Sequence, residues 1–369
     1  MKIMVTGLRG IPGVQGGVET HAEHLYPLLV EQGCTVEVIV RSSSVSKYYP
    51  RTWNGVHLRR LWSPKTTGME SFLHTFLAVL YAAFCRPDVL HIHAIGPAIM
   101  APMARLLGLR VVVTHHGPDY DREKWGRLSK KVLYAGEKLG MKWANQRIVI
   151  SQVIKNLVKE KYGLDSCLIP NGVAINKILD THKVLEKFNL DSAKYVLQVS
   201  RIVPEKRQLD LIQAFVKADL PGWKLVLVGR LSPEDRYTQK LIDETQGKGN
   251  IIFTDFQSGT PLQELLSHAG IFVLPSSHEG LPIALLEALS YGLCVLASDI
   301  PANLEINLSD EQYFNLGNID QLALKLQQFA AESLNLSDRG KIRNWVEARY
   351  NWLEIAEKTL TVYEAAMAE

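Results

Sequence analysis

The stretch "IFVLPSSHEGLPIALLEALSYG" occupies residues 271–292, and the order of its parts decides the fold. Ile271 to Pro275 reads as a short apolar strand. A polar loop carrying Glu279 follows, then Gly280-Leu281-Pro282, then a helical run in which the one charged residue is Glu287. A strand that is apolar on both faces must be covered on both sides, and a helix leaving it directly is the usual cover of a parallel sheet. Pro282 suits a helix start, where its missing N–H is no loss. Glu287 is the oddity, set among Ile283, Ala284, Leu285, Leu286, Ala288 and Leu289. A carboxylate there is costly unless it meets a partner or a ligand, or lies on the wet edge of an ordinary amphipathic helix.

The same unit recurs along the chain. The first half predicts strands at Ile3–Thr6, Val36–Val40, Val89–His93, Arg110–Thr114, Arg147–Ser151 and Ser166–Pro170, with helices such as Val18–Glu31 and Val153–Lys161 between them. The second half predicts Tyr195–Ser200, Lys224–Val228, Asn250–Thr254, Ile271–Pro275 and Cys294–Ser298. Two such series imply an α/β protein of two Rossmann-like domains, their parallel sheets facing across a cleft, with ligands held at the carboxyl ends of the strands. The turn Pro170-Asn171-Gly172-Val173 and a polar linker place the boundary, giving a first domain of 1–175 and a second of 176–351. A last helix, 352–369, is expected to pack back onto the first domain.

Bulk composition narrows the function classes. The 369 residues are 47% hydrophobic and 21% charged, enough apolar material for two cores. Lys+Arg 41 against Asp+Glu 38 leaves +3, which argues against a nucleic-acid partner. Cys34, Cys85, Cys167 and Cys294 are scattered, without metal or redox spacing, as suits a reducing cytoplasm. MKIMVTGLRG reads as a first strand entering a glycine turn rather than as a signal peptide. The most apolar run, Phe72 to Phe84, falls short of the roughly 20 residues that span a bilayer. It is either a buried helix or one lying on a membrane surface.

A nicotinamide enzyme is disfavoured. Gly7, Gly10 and Gly13 have the wrong spacing for the dinucleotide fingerprint, and Arg41 with serines stands where a ribose-binding acid belongs. Sugar-nucleotide chemistry fits better. Gly16-Gly17 precedes a helix, where bare backbone N–H groups can approach an anion. Arg201 and Lys206, after the strand that begins at Tyr195, suit a diphosphate that leaves carrying negative charge. Leu281 and Pro282 begin a helix with its positive end toward the ligand, Glu279 is in reach of sugar hydroxyls, and Glu287 can accept from both hydroxyls of a ribose. The competing readings are a plain loop before a helix and a pair of exposed surface cations.

Glu279 and Glu287 in EGLPIALLE, the pair Arg201 and Lys206, and Gly16-Gly17 together resemble the retaining glycosyltransferases of family 4, with the GT-B fold. The resemblance covers essentially the whole chain. It implies transfer of a hexose or deoxyhexose from a nucleotide diphosphate sugar to an acceptor hydroxyl, with the anomeric configuration kept and no metal or other cofactor. Gly280, Leu281 and Pro282 belong to the implied donor site. HGPDYDREKW, His116 to Trp125, is similar to a segment of bacterial polysaccharide and rhamnose-type transferases, with Asp119-Tyr120 where that segment carries an acid and a tryptophan. The resemblance sets His116 beside the donor sugar, with His115 as the competing assignment. It makes Asp119 the candidate for orienting the acceptor hydroxyl. His91 and His93 read as structural or as lining the site. Asp255-Phe256 stands where a glycine is usual near the nucleobase.

Arg122, Lys124, Arg127, Lys130, Lys131, Lys138, Lys142 and Arg147 outnumber Asp121, Glu123 and Glu137, with Trp125, Leu128, Val132, Leu133, Leu139, Met141 and Trp143 interleaved. Such a surface suits an anionic leaflet, unless it is simply a solvated helix face. The partners expected are a nucleotide sugar, a lipid-linked saccharide acceptor and the inner-leaflet membrane surface. The alternatives are a sugar-nucleotide epimerase of the same fold and a non-catalytic sugar-nucleotide binding module.

Overall fold

The computed structural model describes residues 1–65, 69–121, 126–332 and 336–369. The chain divides into two compact units, Met1–Gly172 with Trp352–Glu369, and Val173–Asn351.

The first unit begins β1 (Lys2–Thr6), α1 (Gly17–Glu31), β2 (Thr35–Arg41), β3 (Thr52–Trp53), β4 (Val56–Leu61), α2 (Met69–Cys85) and β5 (Val89–His93). It continues α3 (Ala101–Leu106), β6 (Val111–His115), α4 (Arg127–Trp143), β7 (Gln146–Val149), α5 (Gln152–Tyr162) and β8 (Cys167–Leu168). Its sheet runs β3-β4-β2-β1-β5-β6-β7-β8. The pairs are parallel except β3 with β4, an antiparallel hairpin that departs from the all-parallel expectation. Asn54 and Gly55 both have positive φ, 44° and 78°, the backbone that a tight hairpin turn requires. β1 and β5 are buried almost throughout, which explains why they carry no alternation of polar and apolar residues.

The second unit holds α6 (Lys183–Lys187), β9 (Tyr195–Val199), α7 (Gln208–Ala218), β10 (Lys224–Val228), α8 (Arg236–Thr245), β11 (Ile251–Phe253) and α9 (Thr260–His268). It closes with β12 (Ile271–Leu274), α10 (Ile283–Ser290), β13 (Cys294–Ser298), α11 (Pro301–Leu304), β14 (Tyr313–Phe314), α12 (Ile319–Ala331) and α13 (Leu336–Glu347). The all-parallel sheet runs β11-β10-β9-β12-β13-β14. α10 begins at Ile283, with Pro282 at the capping position, so the helix starts two residues later than Leu281 suggested. The final helix, α14 (Trp352–Ala368), belongs to the first unit, where Ile355, Ala356, Val362, Tyr363 and Ala366 join the core built on α1 and β1.

In each sheet one strand starts a pair of series that run in opposite directions. β1 lies between β2 and β5, and β9 lies between β10 and β12. At such a reversal the loops at the carboxyl ends diverge and leave room for a ligand.

Candidate functional site

In the second unit the reversal lies between β9 and β12, and the loops beyond these strands carry Arg201, Lys206 and Glu279. The loop after β9 makes one 3-10 turn, Pro204–Lys206, clamped by two buried glutamines. Gln198 donates from Nε2 to Lys206 O at 2.9 Å, and Gln208 donates from Nε2 to Arg201 O at 2.8 Å. The loop after β12 is tied to the first by Ser277 N donating to Glu205 O at 2.9 Å. Lys206 Nζ then meets Glu279 Oε1 at 2.5 Å, with 15% and 11% of the two side chains exposed. Arg201 lies 3.8 Å from Glu205 Oε1 and is more open. Gly229 allows the loop after β10 to close in, because a Cβ there would stand 2.2 Å from Ser200 O.

Glu287 lies on α10, partly buried. Burial alone pushes its carboxyl up to about 7, and among the described residues no group pairs with it. A buried carboxyl raised by desolvation with no protein partner marks a candidate site. Gly280 is partly exposed, and Leu281 and Pro282 are buried at the entry to α10. Beyond β11, Asp255 takes a left-handed backbone, φ 59°, the conformation that suits a glycine. The Arg230 guanidinium stands 5.9 Å over the neighbouring Phe256 ring.

In the first unit the reversal lies between β1 and β5. Gly7 has φ 101°, and a Cβ there would meet His93 O at 2.2 Å. Gly16 caps α1 and Gly17 opens it. The first turn of that helix already carries a carboxylate, since Glu19 Oε1 accepts from Arg9 N at 3.1 Å and Arg9 Nε at 3.0 Å. One turn on, the His21 ring centroid lies 5.3 Å from that of His116 and 5.4 Å from that of Trp352. His93 Nδ1 and His116 Nε2 are 2.8 Å apart.

The histidine that ends β6, His115, and the one that follows it, His116, have separate surroundings. His115 is fully buried: Nδ1 accepts from Gly117 N at 3.1 Å, which leaves Nε2 to donate to Glu137 Oε1 at 2.8 Å. Glu137 also accepts from Tyr120 at 3.1 Å and Tyr162 at 2.7 Å, with Lys161 Nζ at 3.4 Å. Those partners outweigh burial and hold its carboxyl down at about 2. His115 thus anchors the loop, while His116 is the partly exposed one. Burial and the neighbouring imidazoles lower the His116 ring well below the usual histidine range. Asp119 opens the 3-10 turn Asp119–Asp121, with its N–H on Gly117 O at 2.9 Å.

The basic region is narrower than its sequence suggested. Arg122, Glu123, Lys124 and Trp125 lie outside the described residues. Glu137 and Met141 are buried, and Arg147 turns inward to donate to the end of α4 at Ala144 O, 3.0 Å away. Arg127, Leu128, Lys131, Val132, Tyr134, Lys138, Lys142 and Trp143 are the exposed residues of α4. Among the described residues no helix is long and apolar enough to cross a membrane, and no cluster of three or more His, Cys, Asp or Glu side chains could hold a metal ion. His21 and Trp352 escaped the sequence reading. His21 falls four residues after Gly17, one helical turn, which was the available signal.

Comparison with known proteins covers both units. Residues 15–177 match the family model described as Glycosyltransferase Family 4, and residues 181–351 match the one described as Glycosyl transferases group 1. An uncharacterised glycosyltransferase of Methanocaldococcus jannaschii is 25% identical, over 100% of this chain and 99% of its own. The Escherichia coli UDP-Gal:alpha-D-GlcNAc-diphosphoundecaprenol alpha-1,3-galactosyltransferase is 28% identical, over 75% of each chain. Sucrose-phosphate synthase from Thermosynechococcus elongatus shares the fold, with a TM-score of 0.84 at 20% identity over 100% of this chain and 99% of that one. The two sheets, their charged carboxyl edges and these matches agree: the chain belongs to the family 4 glycosyltransferases of the GT-B fold.

Proposed function

We propose that this glycosyltransferase moves a hexose or deoxyhexose from a nucleotide diphosphate sugar to a lipid-linked saccharide, with retention of anomeric configuration. The setting is bacterial cell-surface polysaccharide synthesis, lipopolysaccharide or capsule, at the inner face of the cytoplasmic membrane. The observation that carries the donor reading is Glu287, a partly buried carboxylate paired with nothing among the described residues. A ribose supplies two hydroxyl donors for its two oxygens. Arg201 and Lys206 take the charge of the departing diphosphate, which is a metal's usual work, so transfer is expected to proceed in the presence of a chelator. Glu279 steadies Lys206 and faces the sugar ring, with Gly280, Leu281 and Pro282 completing the donor site. Gly16 and Gly17 offer backbone N–H groups to the donor, His116 holds the sugar, and Asp119 orients the acceptor hydroxyl.

Retention follows a front-face path. The bond from the anomeric carbon to the diphosphate oxygen breaks, the acceptor oxygen bonds to the same face, and the departing phosphate takes the acceptor proton. The lipid-linked acceptor is supported by the E. coli relative, whose name specifies a diphosphoundecaprenol saccharide, and by the exposed side of α4.

The test is a panel of nucleotide sugars screened by thermal unfolding, then turnover with and without a lipid-linked saccharide. A cognate donor at about a hundred times its Kd stabilises by about 2.7 kcal/mol. Stabilisation followed by sugar transfer only when acceptor is present is the expected result. Epimerised donor without acceptor, or binding without any turnover, overturns the reading. A strict requirement for magnesium or manganese overturns the role given to the cations.

A further inference from the structure

Behind His116 runs a line of buried hydrogen bonds that the transfer chemistry leaves unused. His91 and His93 lie two residues apart on β5, so both point to one face of the sheet. His91 Nε2 meets Thr114 Oγ1 at 2.7 Å, and His91 Nδ1 meets Tyr363 OH at 2.6 Å and Tyr26 OH at 3.1 Å. Tyr26 OH is also bonded to His93 Nε2, and His93 Nδ1 ends on His116 Nε2 at 2.8 Å. Tyr26, His91, His93 and Tyr363 are completely buried, and Thr114 is 1% exposed. His116 alone reaches solvent, and its Nδ1 has no partner among the described residues.

The line has a direction. Burial keeps these imidazoles neutral, so each ring carries one proton. One N–H can be shared between two oxygens, but one ring-nitrogen lone pair cannot receive two hydroxyl protons in line. His91 Nδ1 faces two phenols that are also bonded to each other; the direction in which both contacts to His91 are hydrogen bonds has Nδ1 as the donor, which leaves Nε2 to accept from Thr114. Tyr26, receiving from His91, gives its own proton to His93 Nε2. His93 then has its N–H on Nδ1 and gives it to His116 Nε2. His116 is left with its proton on Nδ1.

We propose that Thr114, His91, Tyr26 and His93 are positioning residues that hold His116 as the Nδ1–H tautomer. The ring then meets its ligand as a hydrogen-bond donor, for a sugar hydroxyl or a phosphate oxygen, and has no free lone pair with which to act as a base. The acceptor proton must leave by another route, and the departing phosphate supplies it. The inference rests on the functional reading in taking His116 as the residue that faces the substrate.

The tautomer is read on the free protein, with imidazoles labelled by nitrogen-15, from long-range proton–nitrogen correlations at neutral pH. A bare Nε2 and a protonated Nδ1 on His116 are expected. A proton on Nε2 of His116 in the native protein overturns the proposal, whatever the activity. Tyr26→Phe removes one hydroxyl from the middle of the line. In that variant the His116 proton should be shared between the two nitrogens, and turnover should fall about tenfold while the donor KM changes by less than about twofold. An unchanged tautomer and an unchanged rate refute the positioning role, and if this variant fails to fold, the native tautomer still decides. Native protein with the expected tautomer but no sugar transfer would support this inference while sinking the functional reading, so the two fail separately.

Discussion

Glu287 carries more of the functional argument than any other side chain, and its charge state is testable. Its carboxyl ionises at about 7 in the folded protein, against 4.5 for the ordinary group, so folding disfavours the charged form. The sign follows: the folded state holds the extra proton between these two values, and stability is lost as pH rises from the lower through the upper one. Glu287→Gln should therefore stabilise the free protein above pH 7 by about 1–3 kcal/mol, a gain that fades as pH is lowered. Denaturant titrations of both proteins at several pH values check this. Nucleotide-sugar binding should run the other way. The carboxylate is the form that accepts both ribose hydroxyls, so affinity in calorimetry should fall by up to about tenfold per pH unit below 7. The Gln variant should bind weakly and without that pH dependence. A merely wet helix-edge carboxylate would show neither effect. That Glu287 is out of place was legible from its apolar neighbours, but its lack of a partner was not, because the residues that could have met it lie far away in sequence.

At the scale of elements, α4 shows how a helical pattern overstates a surface. Eight basic residues counted along 122–147 become Arg127, Lys131, Lys138 and Lys142 on the exposed side of α4, with Lys130 half-buried, once Arg147 turns inward and 122–125 are set aside. Each cation near an anionic leaflet is worth about 1 kcal/mol. Reversing the three exposed lysines to glutamate should abolish sedimentation with anionic vesicles while leaving nucleotide-sugar affinity unchanged. If the unaltered protein does not bind such vesicles, this side of α4 is a solvated face. The β3–β4 hairpin is the opposite lesson. Its Asn54-Gly55 turn is a strong local signal between two short runs, but neither run is continuously apolar, because β3 is a two-residue edge strand and β4, between β3 and β2, alternates buried with exposed residues. β14 is two residues long, too short for any pattern to mark it.

At the scale of the whole molecule, the first unit stores four clustered histidines as neutral rings, and His74 is held neutral apart from them. Burial lowers His21 to about 4 and His91 to about 3, and holds His93 and His116 well below the usual histidine range. In the unfolded chain all four protonate near 6.5. Their contribution is thus fully present above 6.5 and is lost as pH falls toward the folded values. Well below 6.5 the loss approaches about 1.4 kcal/mol per pH unit for each ring, or about 5 for the four. Urea unfolding of the first unit between pH 7 and 5 should show that steep decline, and His21→Gln should reduce its slope by about a fifth, since His74 contributes as well. Stability that stays flat over this range would contradict the buried neutral cluster. The sequence by itself determined the two α/β series and the charged loops following β9 and β12, because these rest on local periodicity and turn chemistry. Tertiary structure alone decided that His115 anchors a loop while His116 reaches solvent, that Lys206 pairs with Glu279 across 73 positions, and that Tyr363 closes onto His91 from 272 positions away. A strand pattern alternates faces but does not say what stands opposite each face, and these partners meet only when separate strands and helices are brought together.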